Sequence, residues 1–326
     1  MKNILRSKAV RWAFVAATLA GGGYEIVRQW HDITRSLGQL SPLAIAGALV
    51  CVLAAQIGTL RTWQLLLAGL GSPLPTTAAA RVLFIGQLGK YLPGSVWPVL
   101  AQMELGTVHK VPRHRSASAS VLTMLASLLT GLLAAAVTLP VTGHADSYLW
   151  AYAAVPVLLV CLHPRVLRWG MNRLLRLARQ PGLERPLSGP VLVQALGWSL
   201  AAWVCNGLQI YLLVPVHSGT ALLLSVGAYA FAWCVGFLIV FAPGGLGVRE
   251  LLLAATLAPL VGLGTATAVA LVSRVLTTVS DLVSAAVGAS FHRKSRLPET
   301  VTTETGTTES PIVPEESEEK TDAARH

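Results

Sequence analysis

Charge is scarce in this sequence: 12% of its 326 residues are charged and 53% are hydrophobic. A soluble domain carries roughly 25% charge, so a water-facing globular fold is excluded for most of the chain. Acids are scarcer still over most of the length, because eight of the 15 cluster at the end: Glu299, Glu304, Glu309, Glu315, Glu316, Glu318, Glu319 and Asp322. The remainder is strongly basic. A basic excess can signal nucleic acid, but here Lys and Arg sit in the connections between apolar runs. That pattern fits membrane orientation, and no nucleic-acid partner is expected. The four cysteines each lie in an apolar run without CxxC spacing, and the eight histidines form no HExxH. No metal site, disulfide framework or cofactor is therefore implied. GxxxxGK[ST] is missing, so ATP-driven work is not expected. Paired carboxylates in an outer loop are missing too, with Asp32 beside His31 the nearest approach, and there is no DxxDG…AR…GxxxD pattern. No catalytic residue is assigned.

What the chain does have is a series of apolar runs of membrane-spanning length. They fall at about Trp12–Val27, Pro42–Leu60, Ala117–Leu139, Tyr148–Leu162, Val191–Val214, Leu222–Phe241 and Thr265–Phe291, with a shorter run at Leu251–Leu263. A span needs roughly 20 apolar residues, so the shorter run reads as re-entrant. The fold expected is an all-α, polytopic transmembrane helix bundle of about eight membrane segments, one or two of them broken or re-entrant. It occupies residues 1–291, and residues 292–326 form an acidic tail too polar to bury a core, expected to be disordered and cytoplasmic. Basic clusters at the N-terminus, at Lys110–Arg113–Arg115, at Arg165–Arg185 and at Arg293–Lys294–Arg296 contrast with the Lys- and Arg-free connections Val141–Ser147 and Pro215–Thr220. The positive-inside rule then places both termini in the cytoplasm of a bacterial plasma membrane.

Two stretches break the apolarity. The first runs GQLGKYLPGSVWP from Gly86 to Pro98, and the second PGGLGVRE from Pro243 to Glu250. Irregular backbone at membrane depth persists only where it is buried in protein or lines a wet cavity. Interrupted segments of this kind point to a transporter's binding site. Glycines let backbone amides approach a ligand, and a helix starting after them offers free N–H groups to an anion. Each motif adds a cation, Lys90 or Arg249, suited to a phosphate-bearing headgroup. The alternative is that both are cytoplasmic loops with turn glycines.

Ionisable residues within or beside spans form a second set: Glu25, Arg81, Glu104, Arg274 and Asp281. Intramembrane charge faces a bundle interior or cavity. Arg274 and Asp281 share a helix face two turns apart, too far for direct pairing, so each is expected to meet a partner from another segment such as Glu250 or Arg249. Asn206 and Gln209 are expected to bond between helices. The candidate headgroup-binding residues are therefore Arg81, Gln87, Gly89, Lys90, Tyr91, Pro93, Gly94 and Trp97 around the first motif, Gly244, Gly245, Gly247, Arg249 and Glu250 in the second, and Arg274 and Asp281 beyond it.

GQLGKYLPGSVWP followed by HKVPRHR and a span, together with APGGLGVRE and the Arg274–Asp281 helix, resembles the lysylphosphatidylglycerol synthetase membrane-domain family, also called flippase-like. The resemblance covers the chain to about Phe291. It implies about eight membrane segments, some re-entrant, and movement of a lipid between leaflets. In the two-part bacterial protein a separate soluble domain makes the aminoacylated lipid; no such domain is expected here, and neither is aminoacyl transfer. Implied ligands are an anionic phospholipid or a polyprenyl-phosphate-linked lipid. Two alternatives stay open: a membrane enzyme acting on a lipid-linked substrate, with an essential acid such as Glu104, or a non-catalytic subunit partnered with envelope-synthesis proteins.

Overall fold

A computed structural model describes residues 41–91, 96–142, 154–161, 188–238 and 247–294, with Gly38 and a few positions between 163 and 173. The expected first span, about half of Tyr148–Leu162 and the acidic tail beyond residue 294 lie outside the described residues. Among the described residues all regular structure is helical. The chain runs through α1 (Pro42–Gly69), α2 (Thr76–Gln87), a 3-10 turn (Leu88–Tyr91), α3 (Trp97–Thr107), α4 (Arg113–Thr138), α5 (Gly189–Leu213), α6 (Gly219–Leu238), α7 (Val248–Val261) and α8 (Leu263–Lys294). Helices alone satisfy their backbone groups internally, which is what a lipid surround demands. Proline marks the first turn of α1, α3 and α5, where its missing N–H costs nothing. Ser41 caps α1 by accepting a bond from the Leu43 amide at 3.2 Å.

Five helices, α1, α4, α5, α6 and α8, are long and apolar enough to cross a membrane. The other three are short. α2 has 12 residues, α3 has 11 and α7 has 14, so at 1.5 Å per residue they reach about 18, 17 and 21 Å against a hydrocarbon core of about 30 Å. The expected broken segments are therefore present, and each falls where glycine and proline interrupt the sequence.

The first of them is a re-entrant hairpin. Arg61 of α1 donates to Thr76 Oγ1 at 3.3 Å, and Arg115 of α4 donates to the Gly71 carbonyl at 3.1 Å. The end of α1, the start of α2 and the start of α4 therefore sit together, on the side carrying Lys110, Arg113 and Arg115. α2 rises from that side, the 3-10 turn forms the tip, and α3 returns. Gly86 lets the two short helices close: a Cβ there would run into the Gln102 side chain.

Small residues set the remaining contacts, as expected where van der Waals packing drives association. α1 lies antiparallel to α5, with Gly47 against Leu212 and Gly58 at 3.0 Å from the Ala202 Cβ, counted from the Cβ that Gly58 lacks. α6 is the innermost span, 61% of its apolar stretch being buried against 28% for α1. α8 bridges the halves: Ser273 accepts a 2.8 Å bond from Gln209 of α5, while Gly288 rests on the Ala80–Arg81 backbone of α2. Gln209 thus bonds between helices as expected; Asn206 instead donates to Ala202 of its own helix at 2.9 Å. Apolar side chains gather into two clusters, one around Trp203, Ile210 and Leu257, the other around Trp63, Leu83 and Leu122. A cavity lined by members of both lies between them.

Candidate functional site

The cavity holds about 280 Å³. Its walls follow helical periodicity. α8 contributes Arg274, Thr277, Thr278 and Asp281; α5 contributes Ser199, Ala202, Trp203 and Asn206; α4 contributes Ser120, Thr123, Met124 and Ser127. Each set is spaced i, i+3, i+4, i+7, one face of one helix. The polar stripe of each span thus faces inward and the apolar remainder faces out, the reverse of a soluble bundle.

Asp281 is the hub. It lies about 27 Å from the start of α8 and about 20 Å from its end, at 1.5 Å per residue, so lipid depth denies it water. Three side chains replace that water. Lys90 Nζ lies 2.6 Å from Oδ2, the Tyr91 hydroxyl donates to Oδ2 at 2.6 Å, and Gln56 Nε2 donates to Oδ1 at 2.6 Å. Asp281 is 3% exposed, and Lys90, at 36%, stays open to the cavity. The hairpin tip, α1 and α8 are therefore joined at one carboxylate. Such charge-assisted bonds are stronger than neutral ones.

A second pair lies one motif away. Arg274 Nε stands 3.6 Å from Glu250 Oε1. The other Glu250 oxygen accepts a 2.8 Å bond from the Gly247 amide, capping α7, whose preceding Gly247 adopts φ +84°. Only glycine takes that conformation readily. The expected partnership of Arg274 with Glu250 is thus met, and Asp281 pairs with Lys90 rather than with Arg249.

Arg249 has a different environment. It is 8% exposed and lines the cavity. Among the described residues its guanidinium makes no ion pair or hydrogen bond, and it lies 4.5 Å above the Tyr229 ring centre. A guanidinium carries five N–H donors, so a cation–π contact leaves its hydrogen-bonding capacity facing the cavity.

The structure brings Gln87, Lys90, Tyr91, Arg249, Arg274 and Asp281 onto one cavity, with Glu250 one contact behind. It does not bring Arg81 or Trp97 there; Trp97 is 46% exposed on α3. At Gly89 a Cβ would sit 2.8 Å from the Trp97 carbonyl carbon, so the glycine also makes room for the returning chain. Gly247 offers no free amide, its N–H being taken by Glu250. Glu104 lies away from the cavity in an exposed 2.8 Å pair with Arg113. Pro93, Gly94, Gly244 and Gly245 fall outside the described residues.

Sequence reasoning missed Gln56 and the aromatic wall. Gln56 sits midway along α1, and a lone amide in an apolar span was the available signal. Trp63, Trp203, Tyr229, Trp233 and Phe237 line the cavity from three helices, and nothing local distinguishes them from lipid-facing aromatics.

The cavity lies at mid-height of the bundle, reaching residues 52–63 of α1, 199–206 of α5 and 274–281 of α8. No match was found among curated proteins. The family described as Lysylphosphatidylglycerol synthase TM region matches residues 12–285, which takes in both broken motifs and every helix that lines the cavity. This chain, a multi-pass membrane protein, therefore belongs to the lysylphosphatidylglycerol synthase transmembrane-region family.

Proposed function

We propose that this protein carries an anionic lipid between leaflets, holding its phosphate in the cavity against Arg249. The reading extends to a bacterial cytoplasmic membrane with both chain ends inside, and to an anionic phospholipid or a polyprenyl-phosphate-linked lipid as ligand. The observation that carries it is Arg249: a buried guanidinium with no counter-ion among the described residues, open to a cavity at membrane depth. A buried charge is costly unless paired, and a phosphate supplies the missing charge and accepts from the guanidinium fork. Lys90 and Arg274 reinforce the positive field although each already holds a carboxylate. Family membership supports lipid handling as the general task. Carrying a lipid needs a cavity that opens to both sides in turn.

The test is leaflet exchange of a fluorescent anionic lipid in vesicles containing the purified protein. Exchange is expected to exceed that of protein-free vesicles and to fall about tenfold or more in Arg249→Gln, the loss expected when about 1.4 kcal/mol of binding is removed. Exchange at the protein-free rate for anionic phospholipids and polyprenyl phosphates alike would falsify the proposal.

A further inference from the structure

The walls of the cavity carry information that the phosphate alone does not use. Thr59, Thr123 and Thr278 line it, and each donates its hydroxyl hydrogen to the carbonyl four residues back on its own helix, at 3.2, 2.8 and 2.9 Å. A hydroxyl so engaged keeps its oxygen lone pairs and loses its donor. Asn206 does the same, donating to Ala202 and leaving its carbonyl oxygen without a partner among the described residues. These side-wall groups thus offer acceptors to a ligand's own donors, and the Gln87 amide beside them adds both a carbonyl and N–H groups.

Two kinds of donor fit such a wall, hydroxyls and ammonium groups. Charge separates them. The one carboxylate lining the cavity, Asp281, is engaged by Lys90; Glu250 lies behind the wall in an ion pair with Arg274, and Arg249 adds a further positive charge. An ammonium would enter a field of its own sign with no free carboxylate to meet it. A neutral polyol meets no such penalty. The aromatic wall agrees. Trp203 and Trp233 stand edge to face at 5.2 Å, and Trp233 stacks on Phe237 at 5.1 Å with a 4° interplanar angle. Flat apolar faces of this kind receive the C–H face of a ring polyol while its hydroxyls reach the acceptors around them.

We infer that the lipid taken by this cavity bears a hydroxyl-rich, amine-free group on its phosphate, a sugar or cyclitol being the class that fits both the acceptors and the rings. This rests on the phosphate reading of Arg249 given above, and adds the chemistry of the group beyond the phosphate.

The test is equilibrium binding of short-chain lipids to the full protein in detergent, comparing phosphatidylinositol, phosphatidic acid and phosphatidylethanolamine. Phosphatidylinositol is expected to bind about tenfold or more tightly than either of the others. Asn206→Ala and Trp233→Leu, each checked for an unchanged melting profile, should weaken phosphatidylinositol more than phosphatidic acid. Arg249→Gln should weaken both. If phosphatidic acid binds as well as phosphatidylinositol and still depends on Arg249, the polyol inference is overturned and the anion site stands. If phosphatidylethanolamine binds best, the inference is overturned on charge. If none of the three binds, both readings fall.

Discussion

Asp281 shows how one carboxylate can be tolerated at lipid depth. It accepts from an ammonium, a phenol and an amide, each at 2.6 Å, so its burial is offset only while all three stay in place. Removing the acid alone leaves the Lys90 ammonium beside a cavity without its partner. Asp281→Leu should therefore destabilise the protein by on the order of 3 kcal/mol, and adding Lys90→Met should recover much of that loss, since a pair replaced as a unit costs far less than a pair broken. Melting of the detergent-solubilised variants checks this; equal stability of the single and double variants would show that the pair is not coupled. Residues of this kind were partly legible. Lys90, Arg274 and Asp281 announced themselves because charge in an apolar run has few places to go. The pairing was not legible, since a span shows which face a charge shares but not which helix stands opposite. The packing role of Gly89 was hidden for a related reason: the sequence shows that a Cβ is missing and not what fills its place, here the Trp97–Pro98 backbone.

Among elements, the short helices were readable and the long ones could be placed only by contact. The first motif carries Gly86 in the last turn of α2, Gly89 in the 3-10 turn and Pro98 in the first turn of α3, and the helix breaks between the first and the last of them. By contrast, nothing in the runs that became α5 and α6 says that they pack together. The contact is made by Gly207, where a Cβ would meet the Val226 backbone and side chain. Gly197, on the same helix, has nothing within 4 Å of its missing Cβ. These two positions make a controlled comparison. Gly207→Ala is expected to cost about 1–3 kcal/mol through overpacking, whereas Gly197→Ala should be neutral or stabilise by up to about 1 kcal/mol through helix propensity. Thermal unfolding in detergent reads both, and similar midpoints for the two variants would mean that α5 and α6 do not pack as described.

At the scale of the whole molecule, the polar cavity reaches Gln56 and Asp281, both near the middle of their helices. An insulating layer is only as thick as its apolar part. Polar side chains lining a cavity within that layer concentrate the transmembrane voltage across the apolar remainder. On the transport reading proposed above, a charge passing between the cavity and either face crosses its share of the potential over a shortened distance, at about 2.3 kcal/mol per elementary charge for 100 mV across the whole membrane. Exchange of a singly charged lipid should therefore respond to an imposed diffusion potential, with the rate in opposite directions changing in opposite senses on reversal of its sign. Exchange of an uncharged lipid in the same vesicles should not. A rate indifferent to voltage for the charged lipid would show that its phosphate crosses with a compensating cation or by a path outside the cavity. If the proposed transport holds, the bundle's inward-facing polarity makes the protein a local thinning of the membrane's dielectric, and couples the charge of its cargo to the membrane potential.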